Sequence, residues 1–223
     1  MEDYANTAYE QWEREKKEIE YDNSWLEIDG NFIHETAVIN WERVKMGEGN
    51  TIFPGAVIGT SPQHKKAEAY GKVQIGNNNV IRENVVINSP TQLGGGLTEV
   101  RDNCYLMVNS HVGHDTIIED NVTLCNNVTP GGHVWIMKGA VLGFGVLIHQ
   151  YQVIGSYSMI GLGTIIPANA NITPGHIYYG NPVQQHGVNS IGMERNKISY
   201  KEMANERIRY DSILAEIKRH YIK

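Results

Sequence analysis

The chain has little of what several protein classes require. Its 223 residues include only two cysteines, Cys104 and Cys125, so no disulfide framework can form and a reducing compartment, the cytoplasm, is expected. With three phenylalanines and 9% aromatics, aliphatic side chains must build the core. No long apolar run is present. The most apolar stretch, Gly139 to Ile148, is about half the length of a membrane span, so none is expected. The opening MEDYANTAYEQWEREKK is acidic and broken by charge, unlike a secretory signal. An excess of positive charge is missing too: the net charge of −6 argues against nucleic acid as the main partner.

The charge that is present is uneven. Residues 1–30 carry ten acids and three bases, whereas residues 194–223 carry five acids and eight bases. Between these ends runs a period of six: Leu106, Val112, Ile118, Leu124, Pro130, Ile136, Leu142, Ile148, Ile154, Ile160, Ile166, Ile172 and Tyr178. Neither a helix nor an ordinary sheet has that period, so it marks a repeat architecture. Four residues after each apolar site, small or β-branched residues recur, as at Ser110, Thr116, Val122 and Val128. Glycine often follows the apolar site directly, as in Leu142-Gly143, Ile154-Gly155 and Ile160-Gly161, where a sharp turn is expected. Upstream the same beat returns in pieces, Met46-Ile52-Ile58 and Ile75-Ile81-Ile87.

The period predicts an all-β solenoid. Each hexapeptide is a short strand and a corner, one apolar side chain points to the axis, and three strands close a coil of about eighteen residues. A β-sandwich would turn every 8–12 residues with variable spacing, which the fixed six does not allow. The expected division is an acidic helical arm over 1–30, a β-helix over 31–185 with projecting loops at 59–74 and 88–99, and a helical segment over 186–223. Tyr9, Trp12 and Ile19 form a weak stripe on the arm. Ser199-Tyr-Lys-Glu202 reads as a capping box opening a helix whose apolar face is Met203, Tyr210, Ile213, Leu214, Ile217 and Tyr221.

Four of nine histidines fall in one stretch: His111, His114, His133 and His149. With coils of eighteen, His114, Gly132 and Gln150 form one vertical column, and Asp115, His133 and Tyr151 form the next. Such a cluster suits acyl transfer. An imidazole near its reference pKa of about 6.5 can take a proton from a hydroxyl or amine, a carboxylate can orient it, and a glycine N–H can hold an oxyanion. The competing readings are solvated corner histidines and a zinc site shared between subunits. No cysteine stands at ligand spacing, and His111-x-x-His114 on a strand lacks the facing of helical His pairs, so no metal is expected. No nucleophile-elbow serine occurs, and both cysteines read as small interior or corner residues.

The segments VQIGNNNVIRENVVI, LGGGLTEV, LMVNSHVGHDTIIEDNVTL, GGHVWI, LIHQYQVIG and YYGNPVQQHGVNSIGMER, in that order across residues 33–195, resemble the acyl carrier protein-dependent UDP-N-acetylglucosamine 3-O-acyltransferases of lipid A synthesis. The resemblance implies a left-handed parallel β-helix, a homotrimer and active sites in clefts between subunits. It also implies His114 as the base, Asp115 as its partner and Gly132 as the oxyanion-holding amide. Gln63, Lys66, His111, His133, His149, Gln150, Asn189 and Arg195 are the implied substrate-binding residues, and Leu162 stands where the acyl groove ends. A leucine there fills volume that terminal methylenes would occupy, implying a short-to-medium chain.

No cofactor is implied beyond the phosphopantetheine of acyl carrier protein, which carries the donor. The implied partners are that carrier and a UDP-sugar. Several segments depart from the family pattern. Gln-Asp-Leu-Lys reads Gln63-His64-Lys65-Lys66, His-Arg-Gly-Thr reads Asn88-Ser89-Pro90-Thr91, an acidic tail position is Ile191, and the second of two arginines is Asn196. These leave open the acceptor sugar and whether an oxygen or a nitrogen is acylated. An acetyl-CoA-dependent sugar-nucleotide acetyltransferase, a non-catalytic binding trimer and a γ-type carbonic anhydrase are the rival readings.

Overall fold

The structure is a computed structural model that describes residues 24–221. Most of the expected N-terminal arm lies outside the described residues. The body is a parallel-stranded solenoid. Tyr105 stands opposite Thr123, Thr123 opposite Val141, and Val141 opposite Met159. Each step is 18 residues (123 − 105), the coil length that three hexapeptides require. The same step relates Ile117, Trp135 and Val153 on a second face, and Thr129, Leu147 and Ile165 on the third.

In the earlier coils Thr51 faces Val80 and Val80 faces Tyr105, steps of 29 and 25. The surplus over 18 is thrown out as two loops. They are narrower than the expected 59–74 and 88–99. Strands Val57–Thr60 and Lys72–Ile75 bound the first, and Val86–Asn88 and Leu97–Val100 bound the second. Pairing of Lys72–Ile75 with strands on both sides extends regular structure into the loop ends.

Every position of the six-residue series is buried, from Leu106 at 0% exposed to Tyr178 at 3%. The corners repeat equally strictly. One residue in six takes a left-handed conformation, from Asn103 and Asn109 through Asp115, Asn121, Asn127 and His133 to Tyr151, Tyr157 and Asn169, with Gly139, Gly145, Gly163 and Gly175 completing the series. Asn, Asp and Gly tolerate that region at least cost, so they dominate it. Gly143, Gly155 and Gly161 are not in this set, which corrects the reason expected for them. A Cβ on Gly155 would lie 2.3 Å from Pro174 N, and one on Gly161 would lie 2.7 Å from Tyr179 Cβ. These glycines let consecutive coils approach.

Both ends of the solenoid are closed by hairpins. Strand Trp25–Ile28 pairs antiparallel with Asn31–His34, so the end of the expected helical arm is a strand. Asp29 and Gly30, both left-handed, make the two-residue turn that forces this. At the other end His176–Tyr179 pairs antiparallel with Gln184–Val188, so residues 186–188 extend the sheet instead of opening the helical segment.

Helices Ser190–Arg195 and Tyr200–Tyr221 follow. The capping box forms as expected: Glu202 Oε2 accepts from Ser199 N at 2.8 Å and Ser199 Oγ accepts from Glu202 N at 3.2 Å. Tyr210, Ile213 and Ile217 seat the long helix on Met137 and Val153 of the solenoid. Glu119, 1% exposed, locks it there, accepting from Trp135 Nε1 at 2.6 Å, Lys138 N at 3.0 Å and the Arg209 guanidinium at 2.8 Å. No described helix is long and apolar enough to cross a membrane.

Candidate active site

The corner after strand His111–Val112 carries the site. Its geometry follows from the eighteen-residue register. Gly132 lies one coil above His114, and a Cβ built on it would fall 2.4 Å from His114 Cε1 and 2.6 Å from Nε2. Only glycine leaves room for the imidazole. Gly113 and Gly131 are similarly close-packed, since a Cβ on the former would lie 2.8 Å from the backbone of the latter. The neighbouring column is equally ordered: His133 N donates to His114 O at 2.9 Å, and Tyr151 N donates to Gly132 O at 3.1 Å.

Asp115 is 7% exposed and left-handed, with φ +58°. That turn swings its carboxylate back beside its predecessor, and His114 Nδ1 lies 2.8 Å from Asp115 Oδ2. A carboxylate only accepts, so the proton of this bond sits on Nδ1, and a neutral ring in this orientation presents Nε2 as its acceptor nitrogen. The carboxylate is held from the other side by Thr91, whose N–H donates at 3.0 Å and whose hydroxyl donates at 2.7 Å. Thr98 Oγ accepts from Asp115 N at 2.9 Å. Gly94 presses on the same group, as a Cβ there would lie 2.1 Å from Asp115 Cγ. Thr91, Gly94 and Thr98 were not singled out from the sequence as site residues. The available signal was Thr91 and the GGG run inside one projecting loop.

His133 is buried beside Asp115, with Nε2 3.8 Å from Oδ2, edge-on to the His114 ring and stacked on Tyr151 at 4.5 Å. Burial pushes its pKa down to about 4; Asp115 opposes this, while His114 and His64 add to it. Its ring is therefore neutral at neutral pH. His111 is also lowered, first by burial and then by His114. Ligand atoms of His114, Asp115 and His133 lie within 4.8 Å of one another, a spacing a cation could use. Oδ2 of that carboxylate, however, already accepts from Thr91 and His114, so the cluster reads as an oriented base. The Cys104 thiol, pushed up to about 12 by burial, is inert.

An open cleft of about 500 Å³ leads to His114, lined also by Gln63, His111, Gly132, His149 and Gln150, all expected from the sequence. His64 of the first loop also lines it, edge-on to His114 at 5.6 Å. Asp115 and His133 stand behind the cleft wall. Lys66 is exposed in the same loop, away from the lining. Leu162, 76% exposed, lies on a different corner of the solenoid. Asn189 and Arg195 are not brought to this cleft within one chain. Asn189 is committed to structure, since its Oδ1 caps the helix by accepting from Gly192 N at 3.1 Å and its Nδ2 donates to Tyr157 O at 2.9 Å. The substrate contact expected of it is not available in this chain's own cleft.

Residues 98–129 match the bacterial transferase hexapeptide model, which describes six repeats. Among curated proteins the chain is 38% identical over 167 residues to the acyl-[acyl-carrier-protein]–UDP-N-acetylglucosamine O-acyltransferase of Alkalilimnicola ehrlichii, covering 74% of this chain and 60% of that protein. It is 37% identical over 163 residues to the Synechocystis enzyme of the same name, covering 72% and 57%. The chain thus spans about three-fifths of the length of these relatives. Among solved structures, the UDP-N-acetylglucosamine acyltransferase of Bacteroides fragilis superposes with a TM-score of 0.73 at 33% identity, covering 87% of this chain and 79% of that one.

Proposed function

The chain belongs to the UDP-N-acetylglucosamine O-acyltransferase family, and on that premise we propose that it moves an acyl chain from acyl carrier protein to the 3-position of UDP-N-acetylglucosamine or a related UDP-amino sugar. This would be the first step of lipid A synthesis, carried out in the cytoplasm by a homotrimer wound left-handed as the family resemblance implies. His114 Nε2 takes the proton of the acceptor hydroxyl or amine, whose heteroatom attacks the thioester carbonyl. The N–H of Gly132 holds the tetrahedral oxyanion. The C–S bond then breaks, and the imidazolium returns its proton to the departing thiolate. Asp115 keeps the ring in the required tautomer. No metal enters these steps.

One observation carries the reading: the imidazole of His114 is bonded at Nδ1 by a buried carboxylate and roofed by a residue that can only be glycine. Oriented bases of this kind contribute on the order of 10²–10⁴ in rate, and oxyanion donors about 10²–10³. The exposed positions of Leu162 and Arg195 suit contributions to a neighbouring protomer's cleft, where Leu162 would limit the acyl chain, 3-hydroxylated in this reading, to short or medium length.

His114→Ala should lower turnover by at least about 10³ while the variant stays folded with the wild-type oligomeric state. The check is mass spectrometry of product from a panel of UDP-sugars with carrier thioesters of graded length. Turnover like that of the wild type in the variant would end this mechanism. A strict preference for acetyl-CoA over carrier thioesters would favour the acetyltransferase reading.

A further inference from the structure

The two projecting loops are fastened to each other. The first leaves the solenoid at Thr60, and the second starts against it. Ser89 N donates to Thr60 O at 2.7 Å, the Ser89 hydroxyl to Gly59 O at 2.8 Å, and Asn88 Nδ2 to Ser61 O at 3.3 Å. Further out the loops run side by side. Ala69 and Thr91 form an antiparallel bridge, Tyr70 N donates to Pro90 O at 2.9 Å, and Glu68 N donates to the side-chain Oε1 of Gln92 at 3.1 Å. Between these two fastenings the first loop is a turn closed on itself, with Lys66 N donating to His64 Nδ1 at 3.3 Å and Ala67 N to His64 O at 3.4 Å. That turn puts Gln63 and His64 in the cleft wall, where the His64 ring stands edge-on to His114. Its two ends set its place in the cleft, and Gln92 holds one of them.

Gln92 also stands in the middle of the turn that serves the carboxylate. Thr91 Oγ1 accepts from Leu93 N at 3.2 Å, which directs its own proton to Asp115 Oδ2 at 2.7 Å, and Thr91 N donates to the same carboxylate. One short segment, Thr91–Leu93, therefore meets both the loop that forms the cleft wall and the group that orients His114 Nδ1. Ordering a loop costs conformational entropy, and a shared fastening restrains both loops at once. We propose that Gln92 is a positioning residue for the reaction. Through Glu68 it sets the Gln63–His64 wall, and through the Thr91 turn it sets Asp115, so the resting place of the acceptor and the aim of the base are fixed together. This role rests on the acyl-transfer reading above and adds to it an exposed residue outside the cleft lining.

Gln92→Ala removes the acceptor of the Glu68 N–H, and Gln92→Glu keeps an oxygen in its place. The side chain is exposed, so neither variant should disturb the core. A hydrogen bond of this kind predicts for Gln92→Ala a kcat about three- to tenfold lower and a KM for the UDP-sugar raised by a similar factor, both restored to within about twofold in Gln92→Glu. In a Thr91→Val background the hydroxyl route to Asp115 is already cut. There Gln92→Ala should lower kcat by less than about twofold while still raising KM. A raised KM with kcat unchanged would show that the wall and the base are set separately, and it overturns the proposal. Unchanged kinetics, a loss that Gln92→Glu does not rescue, or an equal kcat loss in both backgrounds overturns it as well. A second readout needs no turnover. The His114 Nδ1 proton, followed by NMR in the free protein, should exchange with water at least about threefold faster in Gln92→Ala than in the wild type, and at the wild-type rate in Gln92→Glu. An unchanged rate would refute the positioning role whatever the reaction, whereas a wild type that transfers no acyl group would strike the proposed function instead.

Discussion

At the scale of single residues, the proposed base, His114, is positioned through Asp115 by a group from outside the repeat. Thr91 precedes Asp115 by 24 residues, yet it gives that carboxylate two of its hydrogen bonds. Thr91→Val keeps the shape and the backbone N–H but removes the 2.7 Å hydroxyl bond, so Asp115 and with it His114 gain freedom. A bond to a carboxylate is worth about 1.5–3 kcal/mol, which predicts a kcat loss on the order of tenfold in steady-state assays, with an unaltered fold by circular dichroism. An unchanged kcat would mean that Thr98 and the Thr91 amide suffice.

His133 leads to a prediction about pH. Its folded pKa of about 4 lies below the unfolded value of about 6.5, so the unfolded chain binds the proton first as pH falls. The neutral ring's contribution is complete above pH 6.5 and is lost progressively between about 6.5 and 4, on the order of 3 kcal/mol in all. His133→Asn suits the left-handed φ of +58° and removes the titration. Urea unfolding at several pH values should show a shallower acid slope for the variant. Parallel curves would assign the acid loss elsewhere.

At the scale of elements, a period of six was readable because each strand sends one side chain to the axis, and the column His114–Gly132 followed from counting by eighteen. Thr91 was not readable. The loop bearing it shifts the local register by seven residues (25 − 18), and nothing in a period says where an insertion folds back. The glycines after the apolar sites looked like turn residues, but their role is coil-to-coil approach. The turn itself sits two residues later, written mostly as Asn and Gly, as Asp115 and His133 at the site and as Tyr151 and Tyr157 in the coils above.

The C-terminal helix is likewise legible by its capping box but not by its clasp, since Glu119 and Arg209 are 90 residues apart. Arg209→Met would leave Glu119, 1% exposed, without its strongest partner. Removing one member of a buried pair costs about 3–5 kcal/mol; with Arg209 itself partly exposed, about half of that is expected here. The helix Tyr200–Tyr221 should then show faster amide exchange than in the wild type, while the Leu106–Ile166 coils remain protected. Uniform protection would mean that Tyr210, Ile213 and Ile217 hold the helix by themselves.

At the scale of the whole molecule, one face stays unexplained by a single chain. Phe144, Leu147, Leu162 and Ile165 are 54%, 46%, 76% and 38% exposed, in two adjoining columns of the upper coils. Contiguous apolar side chains on an otherwise polar surface mark an interface. The second column continues downward, Ile165 over Leu147 over Thr129, and Thr129 lines the cleft at His114. A copy covering this face would therefore wall the cleft as well, which accounts for a site that is open in one chain and for Leu162 and Arg195 lying away from His114. Leu147→Glu puts a charge in the middle of the face without touching the axis-facing core. Sedimentation should then shift from the proposed trimer towards monomer, and turnover should fall in the same concentration range in which the assembly dissociates. A fully active monomer would show that each protomer's cleft is complete by itself.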